Sequence, residues 1–317
     1  MNKPVVGRFA PSPSGYLHMG NLLSLLLAWL DCRSLGGELI FRLEDLDPAR
    51  SKKEYSEAMI SDLRWLGLDW DRGYPEEPQY AQSARTELYE AAFETLRRRA
   101  LAYPCWCTRA QRLAAASAPH PGERDRDPGC PCAGLTREER RERLTSGKAP
   151  AWKLRCPDEK VRLLDGHYGP VEQNLRRDAG DFILRRADGV FAYQLAVSVD
   201  DALMGVTRVV RGRDLLASAP RQKWLIETLG YPAPDYCHGP LLTDGEGKLS
   251  KRLGSLSTQV LRGQHRPEEI LGRLAFLAGL IDREEPVTAR DLLPDFSWEK
   301  VRRENVRLET PGGPANT

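Results

Sequence analysis

The sequence predicts an α/β protein built on a parallel, Rossmann-like nucleotide-binding sheet. Three observations carry that prediction. Residues 5–43 read as strand, turn, helix and strand in succession. The rhythm breaks near residue 101 and resumes later, so the sheet comes in two halves around an insertion. A loop with two lysines, Lys248-Leu249-Ser250-Lys251-Arg252, then follows the second half.

The first strand spans 5–10 and opens on Val5-Val6. Pro11, Pro13 and Gly15 force a turn over 11–17. A helix runs from about 19 to 35 and stops at Gly36-Gly37, and a strand follows at 38–43. Ser51-x-x-Glu54 reads as a capping box for a helix whose Tyr55, Met59, Ile60, Leu63 and Leu66 share one apolar face. Another helix is expected over 83–100. Such alternation places ligands at the carboxyl ends of the strands. Residues 114–134 hold Ala, Pro, Gly, Arg, Asp and Cys without periodicity and read as a loop. Strand-like segments return at 161–164, 190–199 and 206–210. Pro267 suits the first turn of a helix carrying Ile270, Leu271, Leu274 and Leu277, and the tail from Pro311 reads as disordered.

Composition excludes several classes. The 317 residues are 41% hydrophobic and 29% charged, as in a water-soluble globular chain. The net charge of +2 gives no global field for nucleic acid, so an RNA partner would need local patches. Stretches 97–99, 137–143 and 301–307 are arginine-rich and are either such patches or solvated helix faces. The longest apolar run, Leu22–Leu30, is far short of the ~20 residues of a membrane span. No export signal is seen at the N-terminus, so a cytoplasmic setting is expected, with the seven cysteines as thiols or metal ligands.

The chemistry concentrates in a few segments. His18-Met19-Gly20-Asn21 sits where the first helix begins, and free N–H groups and the helix dipole favour a phosphate there. His18 is a candidate donor, and Gly20 lets the backbone approach closely. Lys248 and Lys251 are suited to clamping a phosphoryl group in its transition state, or else form a solvated basic turn. Cys105-Trp106-Cys107 and Cys130-Pro131-Cys132 supply four thiolates that can close a tetrahedral site, with reduced thiols as the alternative. Cys32, Cys156 and Cys237 read as packing residues, and His167, His238 and His265 as surface or core histidines.

Together, His18–Asn21 and Lys248–Arg252 resemble the HIGH and KMSKS signatures of class I aminoacyl-tRNA synthetases. Arg8–Gly15, Arg42–Arg50, Gln82-Ser83-x-Arg85, Tyr193–Val197 and Val210–Leu215 resemble blocks of the glutamate-activating branch, in the right order. Only about 65 residues follow the lysine loop, so the chain is most similar to the shortened glutamyl-queuosine tRNA(Asp) synthetases, which lack an anticodon-binding domain. The resemblance implies four parts: 1–100 and 191–252 as the halves of the catalytic domain, 101–190 as the inserted acceptor-type subdomain, and 253–317 as a short helical segment with a tail.

It also implies roles. L-glutamate is activated by ATP with Mg2+, then esterified onto queuosine in the anticodon of tRNA(Asp). His18, Gly20, Asn21 and Lys251 would hold ATP, and Lys248 would support Lys251. Arg8, Phe9, Ala10, Pro11, Ser12, Glu44, Tyr193 and Arg211 would hold glutamate. Arg8 and Arg211 offer planar forks to carboxylate, Glu44 accepts from the ammonium, and Tyr193 adds a hydroxyl. The plainer alternatives are a structural ion pair of Glu44 with Arg42 or Arg50 and a surface charge for Arg8. One structural Zn2+ is expected on Cys105, Cys107, Cys130 and Cys132. Some relatives carry a tyrosine at one later ligand position, and Cys130 is the substitute here, or less directly His120. Arg252 departs from the family's terminal serine. A monomer is expected. Two other readings compete: a short glutamyl-tRNA synthetase charging a 3′ end, and an idle tRNA-binding paralogue.

Overall fold

The computed structural model describes residues 4–108, 130–243 and 257–308. Lys248, Lys251, Arg252, His120 and the tail from Pro311 lie outside them.

Strand β1 (Val6–Phe9) leads through the proline turn into helix α1 (Met19–Ser34), then β2 (Glu38–Phe41), helix α2 (Lys53–Trp65) and β3 (Arg72–Gly73). These strands form a parallel sheet in the order β1-β2-β3. Helix α3 (Thr86–Arg98) follows a short 3-10 turn at Gln82–Arg85. A separate antiparallel sheet, β4-β5-β8, is built from β4 (Ala102–Cys105), β5 (Ala151–Leu154) and β8 (Phe182–Arg185), with the exposed helix α4 (Arg137–Thr145) between β4 and β5. Strands β6 (Lys160–Asp165) and β7 (Gly169–Asn174) instead join β9 (Arg208–Gly212) and β10 (Asp235–Gly239) in the order β7-β6-β10-β9. Helix α5 (Tyr193–Leu203) precedes β9, and α6 (Ala219–Thr228) connects β9 to β10. A short pair, β11 (Leu242–Thr243) with β12 (Val306–Arg307), brackets helices α7 (Thr258–Gln264) and α8 (Pro267–Ala278).

β1 and β9 lie side by side: the Thr207 N–H donates to the Val6 carbonyl at 2.9 Å, and the Arg8 side chain reaches the Val210 carbonyl at 3.0 Å. The two half-sheets thus run outward from β1 and β9 in opposite directions, and the crevice at their carboxyl ends is the ligand position of such folds. α1 is apolar all round, which is stable only if both of its sides are covered. Phe9, Leu39, Phe41 and Val210 of the sheets cover one side, and Ile270, Leu271, Leu274 and Ala278 of α8 the other. Gly272 of α8 lets the following chain pack back on the helix, because a Cβ there would lie 1.9 Å from the Glu285 carbonyl oxygen.

Two expectations are corrected. Ser51 does not cap α2: its own N–H donates to the Asp47 carbonyl, and the helix starts at Lys53 behind Lys52, which makes no side-chain cap. Residues 190–199 are not a strand. From Tyr193 onward they form α5, whose Leu195, Ala196 and Val199 pack with Tyr89, Phe93 and Leu225, so helical periodicity overrides the β-branched composition. The helix at Pro267 forms as the spacing predicts. Cys32, Cys156, Cys237, His167 and His238 are all buried, whereas His265 is exposed. No described helix is long and apolar enough to cross a membrane.

Candidate active site

A cleft of about 1010 Å³ opens at the crevice between the half-sheets. Its floor is the start of α1. His18 is the N-cap: its Nδ1 accepts from the Gly20 N–H at 3.1 Å, and the Asn21 Oδ1 accepts from the His18 N–H at 3.2 Å. This reciprocal pair is a capping box in which imidazole stands in for hydroxyl. It also sets the tautomer, because a ring that accepts at Nδ1 carries its proton at Nε2 when neutral. The segment His-x-Gly-Asn therefore caps a helix and prepares a donor with the same side chain. His18, Gly20, Asn21 and Ser24 line the cleft.

The opposite wall is charged. Arg8, Glu44, Tyr193 and Arg211 line it with Ala10, Pro11 and Ser12. Behind them sits Arg42, fully buried, 2.6 Å from Asp201 Oδ1, 3.1 Å from Glu44 Oε1 and 3.8 Å from Asp200. Arg8 is 5% exposed, with Nε 3.5 Å from Asp201 but no hydrogen-bond partner for that N–H among the described residues. Asp200 ties this cluster to the core between α3 and α5, accepting from Gln82 (2.8 Å), Arg85 (2.6 Å) and the Tyr89 hydroxyl (3.0 Å).

The shifts follow from burial and these partners. Burial, against the pull of Arg42, raises the Glu44 carboxyl above the usual range. Burial also lowers Arg8, outweighing the attraction of Asp201. Asp201 goes the other way: burial pushes it up, but Arg42 and Arg8 hold it below the ordinary value. The wall thus combines cations with a strained carboxylate, and an amino acid presenting both carboxylate and ammonium complements it.

Arg211 is engaged three times, by His238 (3.0 Å), Gln222 (2.7 Å) and the Leu215 carbonyl (3.2 Å). After it, Gly212 packs closely: a Cβ there would meet the side-chain ends of Asp214 at 2.8 Å and Leu241 at 2.9 Å. From across the chain, Ser257 bridges to His18 and the Thr258 N–H donates to the Leu17 carbonyl at 2.8 Å. The chain from Ser257 onward therefore returns to the head of α1.

Of the residues singled out in the sequence, the cleft gathers Arg8, Ala10, Pro11, Ser12, His18, Gly20, Asn21, Glu44, Tyr193 and Arg211. Among the described residues expected to hold glutamate or ATP, Phe9 is the exception. Its side chain is 1% exposed in the core under α1, because alternate residues of β1 face opposite sides of the sheet. Glu44 makes the ion pair with Arg42 and also lines the cleft, while the surface-charge alternative for Arg8 does not hold. Asp200 and Asp201 went unnoticed in the sequence. Their signal was legible: two adjacent acids in an otherwise apolar helix require buried cations.

A second centre lies on the small antiparallel sheet. Cys105, Cys107, Cys130 and Cys132 place their sulfurs within 4.8 Å of one another, with Sγ···Sγ distances of 3.3, 3.7 and 3.7 Å for three of the pairs. A tetrahedron with metal–sulfur bonds of ~2.3 Å has edges of ~3.8 Å, so the four sulfurs fit one ion. The surrounding core is little more than Tyr103 and these cysteines, with Trp106 and Leu135 packed on it. Four close cysteines that can bind a metal are what the fold presents here.

Residues 4–306 match the family model of class I tRNA synthetases (E and Q), catalytic domain. The chain is 49% identical over 311 residues to a Symbiobacterium thermophilum protein named glutamyl-Q tRNA(Asp) synthetase, covering 95% of each chain. A Nitratidesulfovibrio vulgaris protein of the same name is 47% identical over 295 residues, 90% of each. Among solved structures, a glutamate tRNA ligase from Elizabethkingia meningosepticum in complex with its amino acid superposes with a TM-score of 0.81 at 27% identity, over 97% of this chain and 67% of that one.

Proposed function

Since the chain belongs to the class I (E and Q) tRNA synthetase catalytic family, we propose that it is a ligase that activates L-glutamate with ATP and transfers it to queuosine in tRNA(Asp). The 49% identity over 95% of both chains to a relative of that name carries the reading. The charged wall of the cleft supports its glutamate half.

Activation joins the α-carboxylate of glutamate to the α-phosphorus of ATP and expels pyrophosphate. The protein supplies position and charge rather than a nucleophile of its own. In this reading the triphosphate lies over the α1 N-terminus, where the His18 Nε2–H and the backbone at Gly20 and Asn21 donate, and Mg2+ enters with ATP. Lys251, supported by Lys248, meets the charge that develops on the phosphoryl oxygens. Glutamate lies across the Ala10–Ser12 backbone, its carboxylates toward Arg8 and Arg211, its ammonium toward Glu44, and Tyr193 beside it. Zn2+ is the metal we assign to the four cysteines, as a structural ion holding the small sheet together.

Labelled glutamate should be transferred to tRNA(Asp) carrying queuosine, or to its anticodon stem-loop. It should not be transferred to tRNA(Asp) without queuosine or to tRNA(Glu). Charging of the 3′ end of tRNA(Glu), with nothing on the queuosine stem-loop, would overturn the reading.

A further inference from the structure

Behind Arg211 runs a line of buried polar groups that the reaction as described does not use. Asp165, at the end of β6, is 2% exposed and accepts four N–H bonds. Its Oδ1 takes the backbone N–H groups of His167 (3.0 Å), Tyr168 (2.9 Å) and His238 (3.3 Å), and its Oδ2 takes His238 Nδ1 at 2.6 Å. His238, on β10 and 0% exposed, presents its other ring nitrogen to Arg211 Nε at 3.0 Å. Gln222 of α6 accepts from Arg211 Nη1 and passes its own amide N–H to Gln194 of α5 at 2.8 Å. Gln194 in turn donates to Ser218 at 3.2 Å.

The direction of every bond in this line is fixed. A guanidinium only donates, so His238 Nε2 must accept and Nδ1 must carry the proton, and the carboxylate of Asp165 stabilises that tautomer. Burial lowers the His238 basicity and Arg211 opposes a second charge, which keeps the ring neutral. Burial pushes Asp165 up, but His238 and the backbone donors hold it below the ordinary value. Arg8 and the stacked Tyr236 are the other groups beside the ring. Of the five guanidinium N–H bonds of Arg211, three are engaged among the described residues, one per nitrogen. One N–H remains on Nη1 and one on Nη2, on a side chain that lines the cleft. A guanidinium held at all three nitrogens cannot rotate to follow a ligand, so the ligand must come to it.

We propose that His238, oriented by Asp165, is a positioning residue that aims the Arg211 fork at a carboxylate of the amino-acid substrate. This rests on the reading of Arg211 as a glutamate contact. It predicts which step suffers when the line is cut: capture of glutamate, with ATP binding left alone.

The test is glutamate-dependent ATP–pyrophosphate exchange on the full chain, with KM measured separately for glutamate and ATP. His238→Leu removes the acceptor at similar volume. It should raise KM for glutamate on the order of 10–100-fold, the usual cost of losing a hydrogen bond to a charged group, with KM for ATP within about twofold. His238→Gln, which restores an acceptor near Nε2, should recover most of that loss. In an Arg211→Lys background, His238→Leu should add little further, because an effect routed through Arg211 cannot be lost twice.

A merely structural role would instead raise both KM values and add fully to Arg211→Lys, and that result overturns the proposal. If Arg211→Lys alone leaves KM for glutamate unchanged, the reading of the site fails first. If His238→Leu does not fold, Asp165→Asn carries the same test. It keeps an oxygen for the backbone N–H groups but favours the other ring tautomer, so a donor faces Arg211 Nε. KM for glutamate should again rise alone, and an unchanged value overturns the proposal.

Discussion

At the scale of single residues, burial and neighbours drive two carboxylates in opposite directions: Glu44, which lines the cleft, and Asp201 behind it. Glu44 is raised and Asp201 is lowered, although both touch Arg42. The two therefore lose their charges at different points of an acid titration. As pH falls, Glu44, raised by burial, protonates before Asp201, and on the proposed function it then ceases to attract the glutamate ammonium. Asp201 stays charged, and the stability it lends, present above its unfolded value, is lost only as pH falls through its depressed folded value. KM for glutamate should thus climb on the acid side, by at most about tenfold per pH unit for one proton, while circular dichroism still reports a folded chain. Glu44→Gln should raise KM at every pH and flatten that climb. Coincident loss of affinity and structure in the parent protein would contradict the assignment. Much of this wall was legible, because Arg8, Glu44 and Arg211 stand in recognisable blocks. The depth of the network was not. Nothing near Arg42 in the sequence announces that its partners lie at Asp200 and Asp201, about 160 positions on.

At the scale of elements, the proposed function gives His18 at the head of α1 a chemical role beside its capping one, and substitution can separate the two. His18→Ala should cost ~1 kcal/mol of stability through the lost cap, along with exchange activity. His18→Asn restores a good N-cap acceptor for the Gly20 N–H but cannot place a ring donor over a phosphate. Its melting temperature should stay near that of the parent while exchange falls by ~10²–10³. Recovery of exchange by His18→Asn would reduce His18 to a cap. The cysteine centre offers a second element-scale test. Freshly purified protein should carry close to one zinc per chain by elemental analysis. Cys107→Ser or Cys132→Ser should release it and expose the backbone of β4 and the 130–135 turn to hydrogen exchange before the parallel sheets open. Metal-free protein with four rapidly modified thiols would argue against the site. Elements were read well where one face of a helix repeats, as in α1 and α8. They were misread where tertiary contacts decide: Val190–Val199 alternates like a strand, yet the helical face of α5 is the one that Phe93 and Leu225 bury.

At the scale of the whole molecule, a net charge of +2 leaves RNA to be gripped by local arginines. Transfer to a queuosine stem-loop should therefore weaken steeply with salt, roughly twentyfold between about 50 and 200 mM if three phosphates of a single-stranded loop are neutralised, whereas exchange without RNA should barely respond. Equal salt dependence of both reactions would remove the phosphate contacts from the account. The junction of Thr258 with Leu17, and that of the Trp298 indole with Asp31 of α1 at 2.6 Å, carry a consequence for biosynthesis. They join the turn just before the opening helix, and the helix itself, to residues made more than two hundred positions later. Long-range contacts of this kind form late, and a growing chain cannot make them at all until those residues leave the ribosome. A nascent chain of the first 243 residues holds the strands of both half-sheets, while α1 still lacks α8 over its outer side and Ser257 over its N-terminus. An unfinished copy of this protein is a scaffold that has not yet become an enzyme.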